Sequence, residues 1–277
     1  MKVTYLDHMG TDLTVVNAAR VSFGKKSKGY VITDNVLGTK SLSKEDKSLI
    51  QFLARGCTSG DWGSLVKKMA IETFAYRVEE LEDLLNHIRR MPPHWTPFGH
   101  CQISLHLKVP IFVARQIMKH QTGFVVNEVS RRYVTDEPEF YVPDVWRKAA
   151  DNVKQGSSSE EVKLLCANAD GVQVRPLPYR MTGGGGQVNT YVREGNLIQL
   201  KLYHEMLESD ICPELARMVL PLSTYTEFWM TGSLYGWANL YNQRSDSHAQ
   251  KETQEVAKQI GVIIEPLYPE SWRALIK

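Results

Sequence analysis

Cysteine is scarce in this sequence, and no two cysteines stand at the spacing of a metal-binding pair. Among 277 residues there are only Cys57, Cys101, Cys166 and Cys212. A disulfide framework or a zinc ribbon needs closely spaced pairs, so neither organises this chain. Reduced thiols are the simplest interpretation, and they indicate a cytosol-like compartment.

Long apolar runs and an excess of one charge are absent as well. No stretch approaches the roughly 20 consecutive apolar residues of a membrane-spanning helix, and Met1 to Thr4 opens without the apolar run of a signal peptide. The formal net charge is only +2, whereas general nucleic-acid binders carry a strong basic excess. We therefore expect no membrane and no nucleic acid among the partners, and a small-molecule ligand instead.

The chain has enough hydrophobic residues for a substantial core. They make up 43% of the sequence, close to the average of globular domains. A length of 277 residues is above the usual domain size but within the range of one α/β unit. We therefore predict a single compact α/β domain over residues 1–277, with probable insertions near residues 57–90 and 145–193.

Periodicity predicts the main elements. Residues 43–54 read as a helix, with Ser43 and Asp46 resembling a capping box. Strict apolar alternation over residues 101–109 predicts a strand with one buried face. Pro110 stands where a helix can begin, and that helix is predicted to run to His120.

Other segments are less regular. A second amphipathic helix is predicted over residues 76–90. Residues 144–195 contain a serine-rich and a glycine-rich run, which favour a linker or lid; no Gly-Lys-Ser/Thr follows, so they do not form a phosphate loop. The last third reads as mostly helical, over residues 196–208, 213–220, the aromatic-rich stretch 224–241, and 247–263.

Arginines beside apolar stretches are the first functional signal. A buried guanidinium is costly unless an anion pairs with it, and its fork matches phosphate. The alternative is structural salt bridges with Glu128, Glu214 and Asp246, and spacing alone does not separate the two interpretations. The cations concerned are Arg115, Lys119, Arg131, Arg132, Arg217 and Arg244.

Histidines and a serine offer further chemistry. His100 and Cys101 would face opposite sides of the predicted strand, which argues against a metal site there. His94 follows two prolines and is predicted to lie in a turn. A stacking role and a purely structural role are both compatible with that position. Ser130 lacks the surroundings of a nucleophile, so phosphate binding is the better interpretation.

Several segments together resemble the flavin-dependent thymidylate synthases. One match alone is weak, but they span nearly the whole chain in the family's order. They are His94–His100, Pro110–Gln121, Asn127–Tyr133, Arg217–Leu222 continuing to Asn242–Gln250, and Asn17–Ser22 near the start.

The resemblance implies a fold and a reaction. The fold would be α+β, with a central, mainly antiparallel sheet flanked by helices and a helix-rich C-terminal third. The reaction would be the reductive methylation of dUMP to dTMP, in which methylenetetrahydrofolate donates the carbon and FAD, reduced by NADPH, supplies hydride. The family works as a homotetramer with each site built from several subunits, in the cytoplasm or, for a viral member, the host cytoplasm.

The resemblance also implies residue roles, with no metal. Arg244 would be catalytic, because an arginine at the uracil ring stabilises negative charge developing there. The dUMP-binding residues would be Gln116, Lys119, Ser130, Arg131, Arg132, Arg217 and Arg244. The residues contacting FAD or folate would be His94, Thr96, Lys119, His120, Gln121, Glu128, Asn239 and His248.

The sequence departs from the family chiefly at flavin positions. The signature Arg-His-Arg reads Lys119-His120-Gln121, and one extra residue precedes Ser130. Gly99 replaces a common glutamate, and Ser233 and Tyr235 replace an asparagine and an arginine. These departures predict a re-tooled flavin pocket with the same reaction. The alternatives are methylation or hydroxymethylation of another pyrimidine deoxynucleotide, and a non-catalytic nucleotide-binding protein on the same fold.

Overall fold

A four-stranded antiparallel sheet forms the centre of the protein. The computed structural model describes residues 1–34, 39–56, 93–134, 136–150, 158, 160 and 188–276. The sheet contains β1 (Lys2–Met9), β4 (Gln102–Pro110), β6 (Tyr225–Ser233) and β5 (Phe124–Glu128), side by side in that order. A separate antiparallel pair consists of β2 (Tyr30–Asp34) and β3 (Thr39–Leu42).

Helices flank this sheet, and they dominate the C-terminal third. The predicted α/β class with a mainly antiparallel sheet is therefore confirmed. Within the described part of the chain, no helix is long and apolar enough to cross a membrane. The helices are α1 (Asp12–Arg20), α2 (Lys44–Arg55), α3 (Thr96–Gly99), α4 (Ile111–Ile117), α5 (Val188–Glu208), α6 (Pro213–Ala216), α7 (Leu234–Arg244), α8 (Lys251–Ile264) and α9 (Pro269–Leu275), with 3-10 turns at Val21–Phe23 and Arg217–Val219.

The strand predicted over residues 101–109 is β4, and its alternation is confirmed. Ile103, Leu105 and Leu107 are fully buried, while the residues between them are half-exposed. Pro110 closes the strand and caps α4. This helix ends at Ile117, three residues before the predicted His120, and the chain then turns towards β5.

The aromatic-rich stretch 224–241 is not helical throughout, and that part of the prediction was wrong. Residues Tyr225–Ser233 form β6, which pairs with β4 on one side and β5 on the other. Thr226, Phe228 and Met230 face the core, whereas Trp229 on the opposite face is 59% exposed. Large aromatic residues on both faces obscure the period of two that marks a strand.

Other predicted boundaries shift by a few residues. The helix predicted over 196–208 begins at residue 188, and the one over 247–263 begins at 251 after a turn. The short helix predicted over 213–220 is α6 followed by a 3-10 turn. The helix predicted over 76–90, the glycine-rich run and most of both suggested insertions lie outside the described residues.

The helix predicted to follow Ser43 is α2, and its cap is confirmed. The Ser43 hydroxyl accepts a hydrogen bond from the backbone N–H of Asp46 at 3.2 Å. The Asp46 carboxylate does not complete a capping box. It is buried and instead pairs with Arg20 of α1 and accepts a hydrogen bond from the Ser27 hydroxyl. This contact ties α1, α2 and the loop after α1 together.

Two glycines allow β5 to pack closely on β6 and α7. A Cβ atom at Gly232 would lie 2.3 Å from the ring of Phe124, and one at Gly236 would lie 3.1 Å from it. The ring of Phe124 contacts the edge of Trp237, with centroids 4.9 Å apart. This packing holds the strand that leads into residues 127–133.

Candidate active site

A cavity of about 560 Å³ lies where α1, α2 and the start of α3 meet. Two predicted cofactor-binding residues, His94 and Thr96, form part of its wall. The His94 backbone N–H donates to the Leu53 carbonyl at 2.9 Å, and its ring lies 5.1 Å from the Phe52 ring. This volume is typical of small-molecule sites, and the apolar walls suit a ring system.

Most other residues of this cavity were missed by the sequence analysis. Arg20 ends α1, and Ser22, Phe23 and Lys25 follow it; these residues line the cavity together with residues of α2. The only signal in the sequence was the Asn17–Ser22 motif, which carried the resemblance without a role. No local pattern indicates that this segment lies against residues 94–97.

Three residues at which the sequence departs from the family lie near one another: Gly99, Ser233 and Tyr235. Trp95 stacks on Tyr235, with ring centroids 5.7 Å apart and planes 28° apart. A Cβ atom at Gly99 would lie 3.5 Å from the Trp95 ring. Ser233 caps α7, because its hydroxyl accepts from the Gly236 N–H at 3.1 Å. An aromatic pair, half-exposed at Trp95, therefore occupies this region.

Arg244 and His120 are in direct contact, although 124 residues separate them in the sequence. The guanidinium Nε of Arg244, in the last turn of α7, donates to Nε2 of His120 at 3.0 Å. The imidazole must therefore be neutral with an unprotonated Nε2. Burial, and then the positive charge of Arg244, lower the pKa of His120 below its ordinary value of 6.5.

The substitution Arg244→Ala should raise the pKa of His120. The charge of Arg244 is lost, but burial remains, so the value should stay below that of an exposed histidine. Because the folded-state pKa is lowered, His120 contributes stability above pH 6.5 that is lost as pH falls towards the folded-state value. Proton NMR titration of the imidazole resonances tests this. An unchanged His120 pKa in the variant would contradict the contact.

Gln116 connects α4 to α8. Its amide nitrogen donates to the Gln250 side chain at 2.6 Å, and its amide oxygen accepts from the Thr253 hydroxyl at 3.1 Å. Both polar atoms of this predicted dUMP-binding residue thus have protein partners. The amide oxygen keeps a second lone pair, through which it can accept from a nucleotide without losing Thr253.

The residues after β5 form a polar turn. Glu128 accepts from the Thr226 hydroxyl at 2.6 Å, which fixes the end of the strand. The Ser130 hydroxyl accepts from Nε of Arg132 at 3.0 Å. The guanidinium of Arg132 lies 4.9 Å from the Tyr133 ring centroid, and Arg131 donates to the Asp136 carbonyl. The turn thus presents two guanidinium groups.

Arg132 and Arg217 both lie against Glu214. Arg132 is 3.8 Å from the Glu214 carboxylate, and Arg217 donates to its backbone carbonyl at 3.3 Å. The salt-bridge alternative is thus observed at Arg132. The two side chains are 42% and 63% exposed, and exposed ion pairs add little to the free energy of unfolding. A phosphate dianion can displace Glu214, because it offers more acceptors and more charge.

The remaining predicted residues lie on the surface or along α7. Lys119 and Gln121 are exposed on either side of His120, and Asn239 is half-buried in the middle of α7. His248 is exposed and lies 2.8 Å from the Asp246 carboxylate. Asp246 therefore pairs with His248 and not with Arg244, contrary to the salt-bridge alternative.

A second cavity, of about 380 Å³, opens on the outer face of the sheet. It is lined by Arg131 together with His106, Lys108, Glu227 and Trp229. Lys108 is paired with Glu139 at 2.6 Å and with Glu227 at 3.3 Å, which raises its pKa. His106 and Lys108 already have carboxylate partners and Arg131 donates to a backbone carbonyl, so this cavity is a weaker candidate for an anionic ligand.

The predicted site residues fall into three groups. His94 and Thr96 line the first cavity, His120 and Arg244 meet between α4 and α7, and Ser130 to Arg132 lie with Arg217 beside Glu214. The contacts of the described residues hold each group together but do not join the groups into one cluster.

Metal-ligating side chains do not cluster in the described part of the chain, where no group of three or more His, Cys, Asp or Glu residues could hold an ion. Cys101 is fully buried, and burial raises the pKa of its thiol to about 12. His100 is exposed. Both residues precede β4, with His100 at the end of α3, so their different environments come from the turn and not from the strand.

Comparison with known proteins gives the family. The family description "Thymidylate synthase complementing protein" (Thy1) matches residues 4–270. The chain belongs to this family. Flavin-dependent thymidylate synthases of Thermosipho africanus and Thermus thermophilus are 32% and 31% identical, each over 98% of this chain and over 89% and 74% of their own lengths. The predicted membership and enzyme class, a methyltransferase, are confirmed.

Solved structures show the same fold. The UMP/dUMP methylase PolB of Streptomyces cacaoi, bound with 5-Br dUMP, has a TM-score of 0.61 and 24% identity over 99% of this chain and 93% of its own. The same enzyme bound with 5-Br UMP has a TM-score of 0.62 and 22% identity. Identity at this level carries the fold and no residue roles.

Proposed function

We propose that this member of the Thy1 family methylates dUMP to dTMP, with methylenetetrahydrofolate as carbon donor and FAD, reduced by NADPH, as hydride source. The observation that carries the proposal is the contact between Arg244 and His120. Among the described residues, no carboxylate forms an ion pair with this half-buried guanidinium, whose direction the hydrogen bond to His120 defines. Such a group is suited to negative charge that develops on a pyrimidine ring.

The chain's own residues bind and orient the substrate in this proposal. Arg132 and Arg217 hold the nucleotide phosphate after displacing Glu214, and Ser130 adds a hydroxyl and a backbone N–H. Arg244 contacts the uracil ring and stabilises charge on it. His120 stays neutral and keeps the Arg244 side chain extended towards the ring. None of these residues needs to attack the pyrimidine.

Flavin and folate fit the first cavity. Its apolar walls accept a planar ring system, and the His94 imidazole forms part of the wall. Bound flavin would supply the hydride, which no protein side chain can provide. His94 and Thr96 position the rings and exclude water.

We propose further that the site is completed by other subunits of a homotetramer. The contacts of the described residues do not join the three groups in one chain, and in this proposal a second chain brings a nucleotide-binding group next to the first cavity. The free thiols of Cys101 and Cys212 fit a reducing cytosolic location.

The first test is the mass of the nucleotide product. The protein is incubated without oxygen with dUMP, methylenetetrahydrofolate, FAD and NADPH. We expect a product heavier than dUMP by one methylene group, and no product when either folate or FAD is omitted. Recovery of unchanged dUMP under these conditions would overturn the proposed reaction.

Parallel incubations address the two alternatives. UMP is included because of the substrate named for the Streptomyces cacaoi neighbour, and dCMP represents other pyrimidine nucleotides. A product from UMP or dCMP but not from dUMP would assign another substrate, and the addition of a hydroxymethyl group would appear in its mass. A protein that binds dUMP but retains no flavin spectrum would be non-catalytic.

A further inference from the structure

A loop of three exposed lysines follows α1. Residues 24–29, called here the lysine loop, read Gly-Lys-Lys-Ser-Lys-Gly, and the side chains of Lys25, Lys26 and Lys28 are exposed. Both flanking glycines adopt left-handed backbone, with φ of 62° at Gly24 and 92° at Gly29. Other residues are strained in that conformation, so the glycines set the two bends of the loop.

The loop is anchored through its only serine. The Ser27 N–H donates to the Asn17 side chain at 2.8 Å, and its hydroxyl donates to Asp46 at 2.5 Å. Ser27 thereby ties the loop to both α1 and α2. The lysines on either side are held outward, which reduces the ordering cost of binding an anion.

The negative charge of Asp46, which anchors the loop, is already balanced by a partner. Asp46 is 2% exposed and pairs with Arg20 through one oxygen while it accepts from Ser27 through the other. Its negative charge is thus matched by Arg20. Within the part of the chain that the structure describes, no carboxylate forms an ion pair with Lys25, Lys26 or Lys28, so their charges are available to a ligand.

The lysine loop reaches the first cavity through Lys25. Lys25 lines the cavity together with Phe23, whose side chain is 78% exposed, and His94. The walls are mainly apolar, and the exposed Lys25 adds a cation to them. A fitting ligand therefore has a planar apolar body and an anionic end.

We infer that the lysine loop binds the glutamate tail of the folate carbon donor while the cavity holds part of its ring body. This inference rests on the proposed function. A reduced folate carries its carboxylates at the end of an aromatic body, as the cavity requires. In FAD the diphosphate lies between two ring systems, and in dUMP the phosphate is next to a sugar. In neither ligand does the anionic group end a ring body, so the lysine loop suits the folate tail better, and the flavin ring can still share the cavity with the folate ring.

The length of the glutamate tail tests the inference. Binding of tetrahydrofolate monoglutamate and triglutamate to the FAD-loaded protein is measured by equilibrium dialysis. The triglutamate should bind tighter, and K25A/K26A/K28A should weaken its binding roughly tenfold while leaving the monoglutamate within about twofold. Raised salt should remove the difference between the two folates.

A matched control separates local from general charge effects. K201A/K251A/K258A removes three exposed lysines from α5 and α8 and should bind both folates as the unsubstituted protein does. The inference is overturned if tail length has no effect, if both triple variants lose affinity equally, or if the loop variant loses FAD instead.

Failure of this inference is distinguishable from failure of the proposed function. With dUMP and the triglutamate cofactor, K25A/K26A/K28A should raise the KM for folate and leave kcat unchanged. Formation of dTMP with no dependence on tail length would sustain the function and reject the lysine loop as its folate contact.

Discussion

Replacement of Arg244 by alanine is expected to lower kcat roughly 100- to 1,000-fold, the usual loss when one donor to developing negative charge is removed. The guanidinium is half-buried at the end of α7, and His120 fixes its direction through a 3.0 Å hydrogen bond. If it acts on the transition state, kcat and kcat/KM should fall together, while dUMP binding changes far less. Steady-state kinetics and dUMP titration measure both.

Two further variants serve as controls for the loss of kcat in Arg244→Ala. Arg244→Lys keeps the charge but not the planar fork, so an intermediate rate is expected. Arg273→Ala removes an arginine that is 63% exposed on α9, and it should leave kcat unchanged. Circular dichroism and the flavin spectrum show whether each variant is folded and loaded. Full activity in a folded Arg244→Ala variant would remove Arg244 from the mechanism.

Replacement of Trp237 by alanine is expected to destabilise the fold by about 3–5 kcal/mol, the range for truncating a buried aromatic residue. The side chain is fully buried, and its Nε1 donates to the Ile103 carbonyl of β4 at 3.0 Å. Its ring also supports Phe124 of β5. The change leaves a cavity and an unpaired carbonyl, and it approaches the whole stability of an ordinary domain.

Chemical denaturation at fixed protein concentration measures this effect. Trp237→Phe keeps a ring and loses only the donor and part of the volume, so about 1–2 kcal/mol is expected. Trp229→Ala removes the same side chain from the exposed face of β6 and should cost less than about 1 kcal/mol. Equal losses at positions 229 and 237 would show that both faces of the sheet are buried in the assembly.

Motifs in the sequence predicted the family, which is confirmed, and a set of site residues, which stays a prediction, but they did not predict the contacts of those residues. Arg244 was expected at a uracil ring, yet its contact with His120 joins positions that no local period relates. Gln116 was expected to hold a nucleotide, and its amide joins α4 to α8. Such contacts depend on how helices pack, which residue spacing does not encode.

Departures from the family were visible in the sequence as separate differences. Only the fold shows that Gly99 leaves room beside Trp95 and that Trp95 stacks on Tyr235, 140 residues away. Ser233, another departure, is the cap of α7. The sequence shows each departure at its own position, but it does not show which of these residues pack together.

Local physics by itself determined β4 and α2. A period of two needs only a buried and an exposed face, and the Ser43 cap needs only the first turn of its helix. The tertiary structure decided β6, because strands on both sides and large residues on both faces override any local pattern. It also decided that the lysine loop meets His94 at one cavity, since residues far apart in sequence come together only when the core forms around them.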